Sequence, residues 1–219
     1  LQKYRVRKGN GDMLTHSRIG KPELGIWGGS YSIPYENYEN FLDAYHKHRF
    51  INNNETYLTE VHSLDFAPIL IDIDLRFKVT NGIIKRKYSQ NDIITIIAIY
   101  TQVLSKYLHL TEDQLQAFVF EKTRPIEEKG RIKDGIHIMF PYISVPYNIQ
   151  YIVRNEVINN DEIKSCFENM EVINSINDII DKCVIESNNW LMYGACKPNK
   201  EHYQLTNVYI CDPENSDEY

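Results

Sequence analysis

The chain has 219 residues, of which 42% are hydrophobic and 25% charged, and carries a formal net charge of −6. That length suits one sizeable core, or a main core with a small appended lobe, and is cramped for two full domains. No run approaches the roughly 18 apolar residues of a membrane span, and the opening LQKYRVRKGNGD lacks the apolar heart of a secretory signal, so the chain reads as intracellular and free of the membrane.

In chain order, the first thirty-odd residues are punctuated by Gly9, Gly11, Gly20, Gly25, Gly28 and Gly29 and read as loops with short strands. A helix is expected from Asn37 to about Phe50, with Phe41, Ala44, Tyr45 and His48 on one face. Strands are expected at Tyr57 to Val61 and Pro68 to Phe77. A long apolar helix then runs from Ser89 to about Leu108, capped by Ser89 with Asp92 in its first turn. Ala117 to Lys122 and Lys133 to Phe140 read as strands, Asn148 to Asn159 and Glu162 to Met170 as helices, and Ile176 to Ile185 as a further helical turn or two. Tyr203 to Cys211 reads as a closing strand. Strands and helices interleave without the regular alternation of a doubly wound sheet, which predicts an α+β fold around a mainly antiparallel sheet.

Cys166, Cys183, Cys196 and Cys211 are spaced too widely for a zinc site and too sparsely for a disulfide framework, and read as reduced, mostly buried thiols. Basic residues gather at Lys78, Lys85, Arg86 and Lys87 and again at Lys129, Arg131 and Lys133, while the tail carries Asp212, Glu214, Asp217 and Glu218. A basic groove within an acidic molecule is compatible with nucleic acid, because local rather than total charge meets the phosphates. Lys85, Arg86 and Lys87 are the candidate contacts.

The segment PILIDIDLRF is strand-forming yet carries two aspartates, a residue type depleted in strands. Alternate residues of a strand share a face, so Ile71, Ile73, Leu75 and Phe77 point to the core and Asp72, Asp74 and Arg76 to the other side. Two carboxylates about 7 Å apart at their α-carbons repel each other unless a cation sits beside them. Magnesium or manganese suits them, since hard divalent ions take oxygen ligands and join carboxylates to phosphates. Alone, this pair also suits a nuclease, a phosphatase or a nucleotide-sugar glycosyltransferase.

KDGIHIMFP repeats the logic, with Ile136, Ile138 and Phe140 inward and Lys133, Gly135 and His137 opposite. Glycine lets a phosphate approach the backbone N–H, the lysine supplies charge, and the histidine can donate to a triphosphate oxygen. A third segment, IIDKCVIESNNWLMYGACKP, offers Asp181 as a third carboxylate for a two-metal site and Lys197 as a further cation. Its Trp190 and Tyr193 either stack on a base or anchor the turn into the core.

In order and spacing, these three segments resemble the motifs of the archaeo-eukaryotic primase superfamily, above all the primase domain of the primase-helicase proteins of large nucleocytoplasmic DNA viruses, and they are similar to eukaryotic PrimPol. The resemblance implies Asp72 and Asp74 as metal ligands, His137 and Lys133 as nucleotide contacts, and Asp181 with Lys197 as the third motif. The family's serine two places before the histidine is replaced by Gly135, leaving only a backbone amide, and Asn188 and Asn189 stand where an arginine is expected. The THSRIG, GGSYSIP and LTEV segments also look like the viral members, with Arg18 as a phosphate or template contact.

The resemblance further implies an RRM-like catalytic sheet with flanking helices at about 61–219 and a smaller N-terminal α/β lobe at about 1–60. It also implies a helicase domain beyond the chain, which then reads as part of a longer primase-helicase acting at the site of viral DNA replication. The expected activity is primer synthesis on single-stranded DNA from NTPs or dNTPs, with two Mg2+ or Mn2+ ions held by Asp72, Asp74 and Asp181, and with Arg76 bracing the carboxylates or touching phosphate. The rival readings are a non-catalytic single-strand-binding module and a metal-dependent nuclease.

Overall fold

A computed structural model describes residues 1–7, 13–63, 65–80 and 82–210. In chain order come β1 (Arg5–Val6), β2 (His16–Arg18), β3 (Gly29–Tyr31), α1 (Tyr38–His46), β4 (Leu58–Glu60), β5 (Ala67–Lys78), α2 (Gln90–Tyr107) and β6 (Gln116–Glu121). After them come β7 (Ile126–Glu128), β8 (Arg131–Val145), α3 (Tyr147–Asn159), α4 (Asp161–Asn169), α5 (Ile176–Ile179), α6 (Cys183–Glu186), β9 (Trp190–Leu191) and β10 (Gln204–Ile210). This is a mixed architecture of helices and antiparallel ladders, divided into two units: Leu1–Ser63 with Asn189–Gln204, and Leu64–Asn188 with Leu205–Tyr219.

In the first unit the strands run in the order β1-β3-β2-β4-β9, antiparallel throughout. Phe41 and Tyr45 of α1 join Tyr31, Ile33 and Leu58 in a small core. His16 is fully buried against the edge of Phe41, with ring centroids 4.8 Å apart, and burial lowers its pKa. The arms around the Lys21–Ile26 bridge touch backbone to backbone, since a Cβ on Gly20 would lie 2.5 Å from the Gly28 nitrogen. The helix expected to reach Phe50 stops at His46 and gives way to a π-helical turn over Lys47–Ile51. The wider turn breaks the 3.6-residue phase before His48, which is exposed, as is Ala44 within α1, and Phe41 and Tyr45 hold the buried face. The stretch 189–204, expected with the catalytic module, belongs to this first unit. Its Trp190 and Leu191 pair with Glu60 and Thr59.

In the second unit the sheet order is β10-β6-β8-β5, with β7 also on β8. The two long strands are the expected ones, extended at both ends. β5 gains one residue at each end, whereas β8 runs from Arg131 to Val145 because β7 folds back on it through a tight turn. The two turn residues, Lys129 (φ 53°) and Gly130 (φ 72°), are both left-handed, the geometry that suits the twist of a hairpin. Leu75 and Ile136 are fully buried and Ile71 nearly so, in one core with Ile96, Ile97 and Leu104 of α2. Burying each such side chain stabilises the fold by about 1.5–3 kcal/mol. α2 begins with the expected cap: Ser89 Oγ accepts the Asp92 N–H (3.3 Å) and the Asp92 carboxylate accepts the Ser89 N–H (2.6 Å).

The helical stretch expected at Ile176 to Ile185 is broken into α5 and α6, because Ile180 leaves the helix to form a β-bridge with Ile73. Residues 173–181 thereby line the outer margin of β5. Ile173 N–H donates to the Arg76 carbonyl (2.9 Å) and Asp181 N–H to the Asp72 carbonyl (2.9 Å). Asn174 bridges the interval, donating to the Asp74 carbonyl (2.8 Å) and accepting the Arg76 N–H (3.0 Å). Backbone groups that an outer strand leaves open are satisfied at each of these points.

Cys166, Cys183 and Cys196 are free thiols, and Cys211, like Gly9, Gly11 and the acidic tail, lies outside the described residues. Among the described residues no helix is long and apolar enough to cross a membrane.

Candidate active site

β5 and β8 are antiparallel with a register that pairs Asp72 with His137, Asp74 with Gly135 and Arg76 with Lys133. Residues directly opposite one another point to the same side of a sheet. The intervening pairs Ile73–Ile136 and Ile71–Ile138 point to the core. All six candidate residues on these two strands therefore share one face. His137 Nε2 lies 3.5 Å from Asp72 Oδ1. Asp74 Oδ2 accepts from the Arg76 guanidinium (3.0 Å) and stands 3.3 Å from Lys133 Nζ. Two carboxylates thus alternate with three basic groups, and the aspartate side chains keep roughly a quarter of their surface in solvent. Arg76 thus contacts Asp74 on its own strand.

Gly135 behaves differently from expectation. Its N–H, expected to meet a phosphate, donates to Asp134 Oδ1 at 3.0 Å, so the glycine contributes an absent side chain rather than a free donor. Asp181 is carried to the margin of this face by the Asp72–Asp181 backbone bond, and its carboxylate accepts the Cys183 N–H (2.9 Å) at the start of α6. Among the described residues no three His, Cys, Asp or Glu side chains gather closely enough to hold a metal by themselves. Asp72 and Asp74 are the two carboxylates on the shared face, and Asp181 is joined to Asp72 through the backbone.

Asp181 is held in place by a residue outside the three motifs, which the sequence reading missed. Arg154 is 5% exposed on α3 and donates to the Ile180 carbonyl from Nε (2.9 Å) and from a terminal nitrogen (2.6 Å), and to the Asn177 carbonyl (3.1 Å). A signal exists in the sequence, since Arg154 sits in phase with the buried Gln150, Val153 and Val157. Truncation leaves two carbonyls inside the protein without donors. Arg154→Met is therefore expected to cost about 2–4 kcal/mol of unfolding free energy in a urea titration, from about 1–3 kcal/mol for each unsatisfied buried group. A loss below about 1 kcal/mol would mean that solvent or neighbours replace the guanidinium.

Of the three cations assigned to nucleic acid in the second unit, two are paired with acids, one of them in the interior. Arg86 donates to Asp134 Oδ2 (3.0 Å), Glu121 Oε1 (2.9 Å) and the Lys122 carbonyl (2.6 Å). Asp134 stands opposite Leu75, on the core side of β8, and its side chain is fully enclosed. Burial raises its pKa, and the Arg86 bond opposes the rise. Glu121 also accepts from Tyr88 (2.8 Å) and Thr206 (2.6 Å). Every oxygen of the two acids has a donor, so the network is a satisfied buried ion pair. Lys87 pairs with Glu171 (2.6 Å), and Lys85 is exposed.

The remaining two candidates lie in the first unit. Lys197 is exposed in a turn closed by the Lys200 N–H (2.9 Å), and Arg18 of β2 stands 5.8 Å from the centre of the Tyr57 ring. Asn189, where the family pattern has an arginine, bonds Ser17 (2.9 Å) and Thr59 (3.3 Å) within the same unit.

Comparison with known proteins bears on the family of the chain. The family described as "C962R protein N-terminal AEP domain" matches residues 23–209. A protein of Acanthamoeba polyphaga mimivirus named putative helicase L207/L206 is 29% identical over 213 residues, covering 96% of this chain and 21% of that protein. Putative helicase 184R of Invertebrate iridescent virus 6 is 29% identical over 169 residues, 66% of this chain and 17% of its own length. Putative helicase 121R of Invertebrate iridescent virus 3 is 25% identical over 173 residues, 71% and 17% respectively. The chain spans about a fifth of the length of these curated relatives. It belongs to the archaeo-eukaryotic primase (AEP) superfamily, as a domain of the kind found in the primase-helicase proteins of nucleocytoplasmic large DNA viruses.

Proposed function

We propose that the open face of β5 and β8 catalyses template-directed nucleotidyl transfer, making the chain the primase or primase-polymerase part of a longer viral primase-helicase. The observation that carries this reading is the register: two carboxylates on one strand share a face with a histidine and a lysine of the next, the aspartates and the lysine partly exposed and the histidine buried. Magnesium commonly takes only one or two protein carboxylates and completes its shell with water and substrate phosphates. The Asp72–Asp74 pair fits that demand, with Asp181 as a third donor. Bound divalent ions would polarise the phosphate and favour ionisation of the attacking 3′-hydroxyl.

In this reading the chain's own residues bind and orient. Lys133 and His137 meet the triphosphate, Arg76 directs the Asp74 carboxylate, and the missing side chain at Gly135 leaves room for a phosphate between them. Lys197 is proposed as a nucleotide contact and Arg18 as a phosphate or template contact, and the sheet of the second unit is taken as RRM-like. A relative's name, putative helicase, supports a helicase partner in the whole protein.

The test is incorporation of labelled nucleotide on unprimed single-stranded DNA, with ribo- and deoxyribonucleotides in turn and with Mg2+ or Mn2+ supplied or chelated. Products that lengthen only when metal is present are the expected result. Shortening of the template would assign the same carboxylates to a nuclease, and binding without either change would assign a binding module.

A further inference from the structure

The first unit carries a surface that neither the acidic strand nor its partners use. His46, the last residue of α1, and Phe50, in the π-helical turn, have ring centres 5.6 Å apart and planes inclined by 33°. Phe50 in turn stacks on Tyr193 at 5.7 Å and 25°. Three aromatic rings thus form a row, Phe50 stacked on Tyr193 and tilted against His46. Phe50 is 41% exposed and Tyr193 52%, and His46 is exposed as well.

The ladder is braced from behind. Tyr45 meets Phe50 edge-on at 6.4 Å, and its hydroxyl donates to the Tyr193 carbonyl (2.8 Å). Arg49 lies 5.6 Å from the Phe50 ring centre and donates to the Gly194 carbonyl (2.7 Å). Gly194 itself has φ +82°, and a Cβ there would come within 2.8 Å of Phe50, so the turn accepts only glycine beneath the ring. Rings held this firmly lose little freedom when something stacks on them. Lys47 and His48 follow His46 in the chain and are exposed, and Arg49 is half-buried.

A row of partly exposed rings with Arg49 held against it and Lys47 exposed next to His46 in the chain matches the two demands of an unpaired nucleic acid strand. Its bases offer flat faces and its phosphates offer negative charge. A duplex hides those faces, and a peptide partner would call for an apolar pocket rather than a row of exposed rings. We infer that the His46–Phe50–Tyr193 ladder is a stacking platform for single-stranded nucleic acid, with Lys47 and Arg49 meeting the backbone. It requires neither metal nor nucleotide and stands independently of the chemistry proposed for β5 and β8.

The experiment is fluorescence anisotropy of a labelled oligothymidine titrated with this chain in EDTA, against a blunt duplex of the same length. Phe50→Leu with Tyr193→Leu retains apolar volume and removes the π faces. This double variant should bind five- to one-hundred-fold more weakly per base unstacked, the equivalent of about 1–3 kcal/mol. Lys47→Gln should flatten the slope of log affinity against log salt by about 0.7, one single-strand phosphate's share. Thermal melts of each variant at the wild-type temperature show that the unit is folded. Unchanged affinity in the folded double variant, or equal affinity for the duplex, overturns the platform. Because binding is read without metal, loss of the platform and loss of the polymerising reading are separate results.

Discussion

Replacing both Asp72 and Asp74 by asparagine is expected to abolish metal-dependent nucleotide incorporation while the protein stays folded. Asparagine matches aspartate in size but carries no charge, and hard divalent ions bind carboxamides poorly compared with carboxylates. Removing a single preorganised electrostatic contact from an active site commonly costs about 10²–10³ in rate. The loss of both should therefore exceed about 10³-fold. Stability should barely move, because the core-facing residues of β5 are Ile71, Ile73, Leu75 and Phe77, whereas the two aspartates remain partly in solvent. Incorporation that persists in the double variant would remove both residues from the chemistry. A drop in melting temperature matching the loss of activity would make them structural instead.

Arg86→Met should produce the largest loss of stability of any single change in the second unit proposed above. The substitution leaves Asp134 fully enclosed and Glu121 nearly so without their cation, and stranding a buried partner costs about 3–5 kcal/mol. The sign of the Asp134 shift sets the pH dependence. A carboxyl whose folded-state pKa lies above its unfolded value lends stability below the unfolded pKa, and that stability fades as the pH rises through the folded one. Arg86 opposes the upward shift, so its removal moves the folded value higher still. The variant should consequently suffer most near pH 7 and recover part of the deficit at about pH 5, when Asp134 can take up a proton. Urea titrations at the two values measure this. If Arg86→Met unfolds like wild type at neutral pH but binds single-stranded DNA less tightly, the guanidinium belongs to the nucleic acid contact after all.

The two strands that make the candidate site were legible because a period of two survives in their sequence. PILIDIDLRF and KDGIHIMFP alternate cleanly enough to assign each residue to a face. Register was not legible. That Asp72 stands opposite His137 depends on where β7 turns back and on a shift between Pro68 and Ile69, neither of which a local pattern reveals. Arg86 was misread for a similar reason: as one of three adjacent basic residues it looks like a surface cluster, and its acids lie 35 and 48 positions away. Asp134 did leave a trace, being an acid in phase with Ile132, Ile136 and Ile138, and such an acid requires a buried cation from somewhere. β9 left none, because two residues are too few to show a period. The π-helical turn after α1 was equally silent, since an i→i+5 bond changes phase without changing composition.

The strip of chain along the margin of β5 also bears on how molecules of this protein meet one another. A twelve-residue strand at the end of a sheet, with isoleucine and leucine on alternate positions, is a ready template for a strand from another copy. Asn174, the Ile73–Ile180 bridge and the Asp72–Asp181 bond occupy that template from within. The same few contacts that bring an acid to the edge of the charged face therefore act as a guard against intermolecular β-pairing, so that solubility and the geometry of the site are secured by one piece of chain.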